Sequence, residues 1–327
     1  MSEQSGMEIP RRYPLVFNPK AHSQKGGRVL RFLKQHANHF TVHTTSRAGE
    51  AREMAARFAA QGEAIVIAAG GDGTLNEVVG GLAGSSTVLG VLPAGTVNVF
   101  AREMGIPCHS LERAFAIIER GFVREVDLFE ANGSPFVQMA GVGFDAAVIE
   151  ETTWKLKKML GAPAYLLAAM KVIGKHPPQL EVLCADGRRE AGVAVIVGNG
   201  VLYGGPFRVF RHAHNRDSKL DVLVYKEAGC RLVLDSLRGL ACGGIDRLAS
   251  TSYFQTETLT VRADCEVPVQ VDGEWLGRFA EVRFKESAHH LRVLAPEYPI
   301  AGNFADTLKS LLPWPQRRPE LQTTRSR

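Results

Sequence analysis

Five residues, Gly70-Gly71-Asp72-Gly73-Thr74, separate the apolar run Ala64–Ala69 from a segment in which Leu75, Val78, Val79 and Leu82 recur at helical spacing. With three glycines in four positions, the backbone can turn sharply and come close to a ligand, because no Cβ blocks the approach. The N-terminus of the following helix would offer unpaired N–H groups to an anion, a phosphate above all. The competing reading is an ordinary strand-to-helix turn in which Asp72 caps the next helix. A second such segment, Pro93-Ala94-Gly95-Thr96-Val97-Asn98, closes the buried run Thr87–Leu92. The ten histidines show no HxxH or HExxH spacing and read as ordinary surface or core residues.

These loops need a frame. Tyr13–Phe17 reads as a strand running into Asn18-Pro19, and Val29, Leu30, Phe32 and Leu33 mark a helix. Phe40–Thr45 reads as a second strand and Ala48–Ala60 as a helix, before the strand and turn described above. After Leu92, Ser110 is an N-cap with Arg113 at the third helical position, and Gly121 ends that helix. Such alternation predicts an α/β domain, doubly wound around a mostly parallel sheet. Ligands of such sheets bind beyond the carboxyl ends of the strands. The loops at Asn18, Thr45, Gly70 and Gly95 all follow strands and should share that edge.

From about Val123 the pattern turns to short strands: Val126–Ala131, Phe136–Ala140, Leu180–Ala185, Ala191–Val197, Phe207–Phe210, Leu220–Tyr225, Thr256–Arg262, Val267–Val271 and Glu281–Phe284. Asn132-Gly133, Asp186-Gly187 and Asp272-Gly273 are hairpin signals. A mostly antiparallel β-sandwich follows, with one helix over Arg231–Leu240. The expected division is an α/β domain at 12–131, completed by 296–312, a β-rich domain at 132–295, and flexible ends at 1–11 and 313–327.

A chain of 327 residues suits two cores. Its formal net charge of +5 fits attraction to an anionic surface, nucleotide or lipid, without choosing among them. The five scattered cysteines, in no CxxC pair, argue against a disulfide framework or thiolate zinc and for a reducing cytoplasm. The N-terminal residues lack a signal sequence, and no window reaches the ~20 apolar residues of a spanning helix. The chain is expected to be soluble. Trp154–Lys175, basic at both ends and apolar between, reads equally as an interfacial helix or as a core-packing one with solvated lysines.

Three segments in order, Gly70-Gly-Asp-Gly-Thr-Leu-Asn-Glu77, Leu92-Pro-Ala-Gly-Thr-Val-Asn98 and Val271-Asp-Gly-Glu274, resemble the diacylglycerol kinase and sphingosine kinase catalytic-domain family, particularly its soluble bacterial lipid kinases. Asn18-Pro19, Gly141–Asp145 and Val197–Gly205 are lesser echoes, and the likeness runs from about residue 12 to residue 295. NAD kinases and phosphofructokinases share a GGDG-type turn, but Asn76-Glu77 and the Leu-Pro-x-Gly-Thr segment point to the lipid-kinase branch.

The resemblance implies an NAD-kinase/phosphofructokinase-like first domain and transfer of the γ-phosphoryl group of ATP, with Mg²⁺, to a lipid hydroxyl. It places nucleotide contacts at Asn18, Thr45, Gly71, Asp72, Gly73, Thr74, Asn76, Glu77 and Thr96; only the spacing to Gly49 and Ala51 supports Thr45. It makes Glu274 the general base, with Asp272 its near neighbour, although Asp-Gly is equally a hairpin turn. It puts a structural Mg²⁺ at Asp217, with main-chain carbonyls of His214 and Lys219; a plain polar turn is the alternative. No GxxxxGK[ST] lysine is present, so backbone dipoles and Mg²⁺ must carry more of the phosphate charge. Two positions depart from the family. Val99 stands where relatives often have Asp, and Ser218 where they have Gly. The implied partners are ATP and a lipid at a membrane surface, with no nucleic acid; a homodimer stays open. The implied location is cytoplasmic and peripheral to a membrane. Rival functions are an NAD-kinase-like phosphotransferase and a non-catalytic lipid- or nucleotide-binding regulator.

Overall fold

The computed structural model describes residues 12–19, 26–143, 146, 177–205, 207–227 and 248–297. The helices expected over Trp154–Lys175 and Arg231–Leu240, and the return over 298–312, lie outside them.

Strands β1 (Tyr13–Phe17), β2 (Phe40–Thr44), β3 (Ile65–Gly70) and β4 (Val88–Pro93) form the parallel part of a six-stranded sheet, with β5 (Val123–Val126) and β18 (Leu291–Leu294) beyond β4. The order is β2-β1-β3-β4-β18-β5. Leu15, Ile67, Leu89 and Leu92 are fully buried, as strands covered on both faces require. The covering helices are α1 (Gly26–Gln35), α2 (Glu50–Ala60), α3 (Asp72–Leu82) and α5 (Leu111–Arg120). The Ser110 hydroxyl accepts from Arg113 N at 3.2 Å, and Gly121, at φ 69°, closes the same helix, as the sequence predicts. A short helix α4 (Val99–Glu103) has no periodic signature, and it was not anticipated.

The order reverses between β1 and β3, because β2 lies to one side of β1 and β3 to the other. Loops leaving such a switch point diverge and open a crevice at the carboxyl edge. Asn18 and Gly71 flank it.

The second sheet is antiparallel throughout. It contains β6 (Phe129–Ala131), β7 (Ser134–Phe136), β8 (Met139–Gly143), β9 (Leu180–Cys184), β10 (Arg189–Gly192), β11 (Ala194–Gly198), β14 (Leu220–Tyr225), β15 (Thr251–Thr256), β16 (Leu259–Val271) and β17 (Glu274–Glu286). A small ribbon pairs β12 (Leu202–Tyr203) with β13 (Phe207–Arg208). Phe129, Phe136, Val195, Val222 and Phe284 belong to one core cluster of this sheet. Asn132-Gly133 (φ 48° and 83°) and Asp272-Gly273 (φ 47° and 81°) are two-residue hairpin turns, the left-handed pair that Asn-Gly and Asp-Gly favour.

Several expected strands are divided differently. Thr256 ends β15, whereas Leu259–Arg262 and Val267–Val271 fall in one strand, β16, whose register shift between Arg262 and Val267 absorbs the intervening residues as a bulge. Val126–Ala131 is not one strand: Asp127, whose N–H donates to Asn215 O at 2.9 Å, breaks it. The halves join different sheets. Phe129–Ala131 therefore pairs within the second sheet and Leu291–Leu294 within the first, so the sheets divide inside the expected 131/132 and 295/296 boundaries.

Candidate active site at the junction of the two sheets

Helix α3 starts at Asp72, directly after β3, so Gly71 is its N-cap in extended conformation. The Asp72 side chain reaches forward instead of capping its own helix. Its two oxygens accept from Asn98 N at 2.9 Å and Val99 N at 2.7 Å, at the start of α4. The expected cap of the next helix is thus not made; the helix start that Asp72 holds lies 27 residues along the chain. Burial raises the pKa of this carboxyl against the pull of those two amides.

The same two loops touch at their glycines. A Cβ built on Gly95 would lie 2.5 Å from Gly71 Cα, so backbone meets backbone there. Asn98, held at φ 53°, accepts from Gly95 N and donates Nδ2 to Gly95 O, both at 2.9 Å. Thr96 is left exposed on the loop, whereas Thr74 is buried with its side chain against Gly70.

Glu77, one turn into α3, accepts from Gly49 N at 2.9 Å and Ala51 N at 3.0 Å. It anchors the first turn of α2, where a carboxylate meets the positive end of the helix. Thr45 is buried at the end of β2, its N–H donating to Phe17 O at 2.9 Å, and Asn18 follows β1 half-buried. Asn18, Thr45, Gly71, Asp72, Gly73, Thr74 and Thr96 thus cluster along one edge of the first sheet, as the loop positions predict.

The second sheet delivers the β16–β17 hairpin to that edge. Asp272 accepts from Val137, Gln138 and Met139 N, each at 2.9 Å, and donates its own N–H to Met139 O at 2.7 Å. Burial drives its carboxyl up to about 6, outweighing the three amides that lower it; Asp72 nearby raises it further. Asp272 is therefore the post that fixes the hairpin. Glu274, exposed at the start of β17, lies over α3: its Oε1 comes within 2.9 Å of where a Cβ on Gly73 would sit. Glycine at 73 leaves that carboxylate its place.

Between the hairpin and α3 lies a small cleft open to solvent. Leu75, Val99, Phe100, Val137 and Met139 make its walls apolar; Asp72, Asn76, Gln138 and Asp272 are its polar members. Val99, the departure from the family's Asp, presents an apolar wall here. Gln138, which sequence reasoning missed, donates Nε2 to Glu103 Oε2 at 3.1 Å and Leu202 O at 2.9 Å. Glu103 also accepts from Leu202 N at 2.9 Å. These partners are brought together only by tertiary structure, and no local pattern marks them.

The residues expected to hold a structural cation stand apart, in the turn before β14. Asp217 Oδ1 accepts from Lys219 N at 3.1 Å, and His214 O accepts from Arg216 N at 2.7 Å. Their chemistry, one carboxylate with two carbonyls, suits a hard cation such as Mg²⁺. Ser218 sits at φ 55°, the conformation a glycine would adopt most easily. It is held there by Asp127 Oδ2, which accepts its N–H at 2.8 Å, and by Glu286 Oε1, which accepts its hydroxyl at 3.0 Å. A glycine could keep the N–H bond to Asp127; the hydroxyl bond to Glu286 is what the departure from Gly adds. Among the described residues, no helix is long and apolar enough to cross a membrane.

Comparison with known proteins matches residues 12–131 to the family described as diacylglycerol kinase catalytic domain, and residues 138–295 to the YegS C-terminal NAD kinase beta sandwich-like domain. A protein of Pseudomonas aeruginosa named "Probable lipid kinase YegS-like" is 35% identical, over 78% of this chain and 84% of its own length. A Bacillus subtilis protein named "Diacylglycerol kinase" is 29% identical, over 88% of this chain and 97% of its own. Among solved structures, a diacylglycerol kinase from Bacillus anthracis shares the fold at a TM-score of 0.71 and 22% identity, covering 88% of this chain and 97% of that one.

Proposed function

This chain belongs to the bacterial lipid kinase family that joins a diacylglycerol kinase catalytic domain to a YegS-type β domain, and from that premise we propose that it moves the γ-phosphoryl group of ATP to a lipid hydroxyl, with Glu274 as the base. The observation that carries the reading is the placement of Glu274 over Gly73, where a carboxylate from one sheet meets the phosphate-type turn of the other.

In this reading the nucleotide lies along Asn18, Thr45, Gly71–Thr74 and Thr96. Main-chain N–H groups at the start of α3 face its phosphates. Gly71 and Gly95 let the two loops close to van der Waals contact, and Asp72 and Glu77 hold α4 and α2 in place around them. Glu274 takes the proton of the acceptor hydroxyl as the phosphoryl group arrives; positioning and charge neutralisation do the rest. Asp272 orients Glu274 through the fixed hairpin and does not itself reach the hydroxyl. Mg²⁺ would neutralise the phosphate oxygens when it enters with ATP; since both Asp72 oxygens already accept amide hydrogens, that residue would meet it through remaining lone pairs or water. Asp217 with His214 and Lys219 would hold a second, structural ion. The lipid is met at a membrane surface by a cytoplasmic protein.

A transfer assay with γ-labelled ATP, offered diacylglycerol, sphingosine and NAD side by side, tests the reading. Labelled lipid supports it. Labelled NAD with unlabelled lipid would mean an NAD-kinase-like enzyme, and ATP binding without any transfer would mean a regulator.

A further inference from the structure

The short helix α4 is bound at its two ends to the two halves of the site. Its Phe100 and Ala101 pack in the core of the first sheet. At its start the helix has no side-chain cap of its own, and the two Asp72 oxygens accept from Asn98 N and Val99 N there. At its end Glu103 reaches across to the second sheet. Its Oε1 accepts from Val201 N at 3.2 Å, and its Oε2 accepts from Leu202 N at 2.9 Å and from Gln138 Nε2 at 3.1 Å. Gly200 lies against this cluster, since a Cβ there would come within 2.5 Å of Gln138 Nε2 and 2.9 Å of the Glu103 carboxyl carbon. Gln138 carries the link onward. Its main-chain N–H donates to Asp272 Oδ1 at 2.9 Å, and Asp272 fixes the turn from which Glu274 leaves. A continuous run of contacts, through Asp72, α4, Glu103, Gln138 and Asp272, therefore joins the Gly70–Thr74 turn to the carboxylate placed over it.

We infer that Glu103 is a positioning residue for phosphoryl transfer: it sets the place of Glu274 relative to the nucleotide turn without touching either reactant. The base stands on a hairpin of the second sheet, whereas Gly71–Thr74 belong to the first, so the gap between them depends on how the sheets are held. A misplacement of about 1 Å costs on the order of 10²-fold in rate, which makes that gap worth fixing. A carboxylate suits the task, because hydrogen bonds to an ionised acceptor are shorter and roughly twice as strong as neutral ones. Here three donors converge on one carboxylate, two of them from 98 and 99 residues along the chain. The helix that carries it has Val99, Phe100 and Ala101 buried, and close packing lets so short an element pass on a displacement instead of absorbing it. The inference rests on the lipid-kinase reading and adds to it the part that aligns its two halves.

Glu103→Gln keeps the shape of the side chain and turns an NH₂ towards donors that need an acceptor. Single-turnover transfer from saturating ATP to saturating lipid is compared in the wild type, Glu103→Gln, Glu274→Gln and the double variant, with ATP binding and thermal unfolding measured on the same chains. The expected result is a transfer rate roughly tenfold or more lower in Glu103→Gln, at an ATP affinity within about twofold of the wild type. In the Glu274→Gln background the same change should cost no more than about twofold, because a residue that acts through Glu274 then has nothing left to position. Should Glu103→Gln fold poorly, Gly200→Ala takes its place: Gly200 has no positive φ, and its added methyl pushes the ends of Gln138 and Glu103 aside. An equal loss in both backgrounds, a loss of ATP affinity in place of transfer, or full transfer in both variants overturns the inference and leaves the kinase reading intact. If the wild type phosphorylates no lipid, the kinase reading falls, and amide exchange decides the clamp. Faster exchange at Val137, Gln138 and Met139 in Glu103→Gln, with Gly49 and Ala51 unchanged, supports it, and unchanged exchange overturns it.

Discussion

Glu274 of β17 and Gly73 of α3 lie against each other across the junction of the two sheets, so that a methyl group on Gly73 would fall within 2.9 Å of Glu274 Oε1. The atom displaced is the far end of a flexible side chain, and Gly73 lies in a helix at ordinary φ. Gly73→Ala should therefore leave the unfolding free energy within about 1 kcal/mol of the wild type, since Ala is the better helix former. Turnover should drop at least tenfold as the carboxylate moves. Thermal unfolding alongside the transfer assay checks both halves; an active Gly73→Ala chain would separate Glu274 from the reaction.

Gly95→Ala should behave differently. Its Cβ would meet Gly71 Cα at 2.5 Å, and Asn98 pins Gly95 through both N–H and carbonyl. With backbone on both sides, the loops must part, at a cost of about 1–3 kcal/mol. A lower Tm together with weaker ATP binding is expected. Unchanged stability would show that the loops are free to separate.

Glu77→Gln tests the link between α3 and α2. The carboxylate accepts from two amides, and a glutamine can offer only one oxygen while turning an NH₂ towards the other donor. A loss of about 1–2 kcal/mol in chemical denaturation is expected, with faster amide exchange at Gly49 and Ala51. Full retention of both would leave Glu77 without a structural role.

The Asp272 carboxyl gives stability a pH dependence of unusual sign. Its folded pKa, about 6, lies above the ordinary value of 3.8, so the folded chain binds the extra proton. Its contribution is fully present below about pH 4 and is lost as pH rises through about 6. Asp272→Asn should remove that downward slope between pH 4 and 6, whatever its offset in overall stability. Identical slopes in both chains would place the pKa elsewhere.

Much of the first sheet was legible in the sequence. The buried runs Leu15–Phe17 and Val66–Ala69, the Ser110 cap and the Gly121 stop are local signals, and so are the Asn132-Gly133 and Asp272-Gly273 turns. The carboxyl-edge convergence of Asn18, Thr45, Gly71 and Thr96 followed from topology alone. What stayed hidden depends on partners far away in the chain. Asp272 finds Val137 at a separation of 135 residues, and Glu103 finds Leu202 at 99. Neither the anchoring role of Asp72 and Glu77 nor the bond between Gln138 and Glu103 has a periodic trace. The break at Asp127 was missed for the same reason: a strand-like run conceals an acid whose partners, Asn215 and Ser218, come from a distant turn.

The central claim is that Glu274 removes the proton from the acceptor hydroxyl, and Glu274→Gln addresses it with the least change of shape. Single-turnover transfer of the γ-phosphoryl group from ATP to the preferred lipid is measured in wild-type and variant chains, with ATP binding measured on the same samples. The account predicts ATP affinity within about threefold of the wild type and a transfer rate lower by roughly 10²–10⁴-fold, the range of a general base. Transfer at near wild-type rate in a Glu274→Gln chain that binds ATP normally would contradict it.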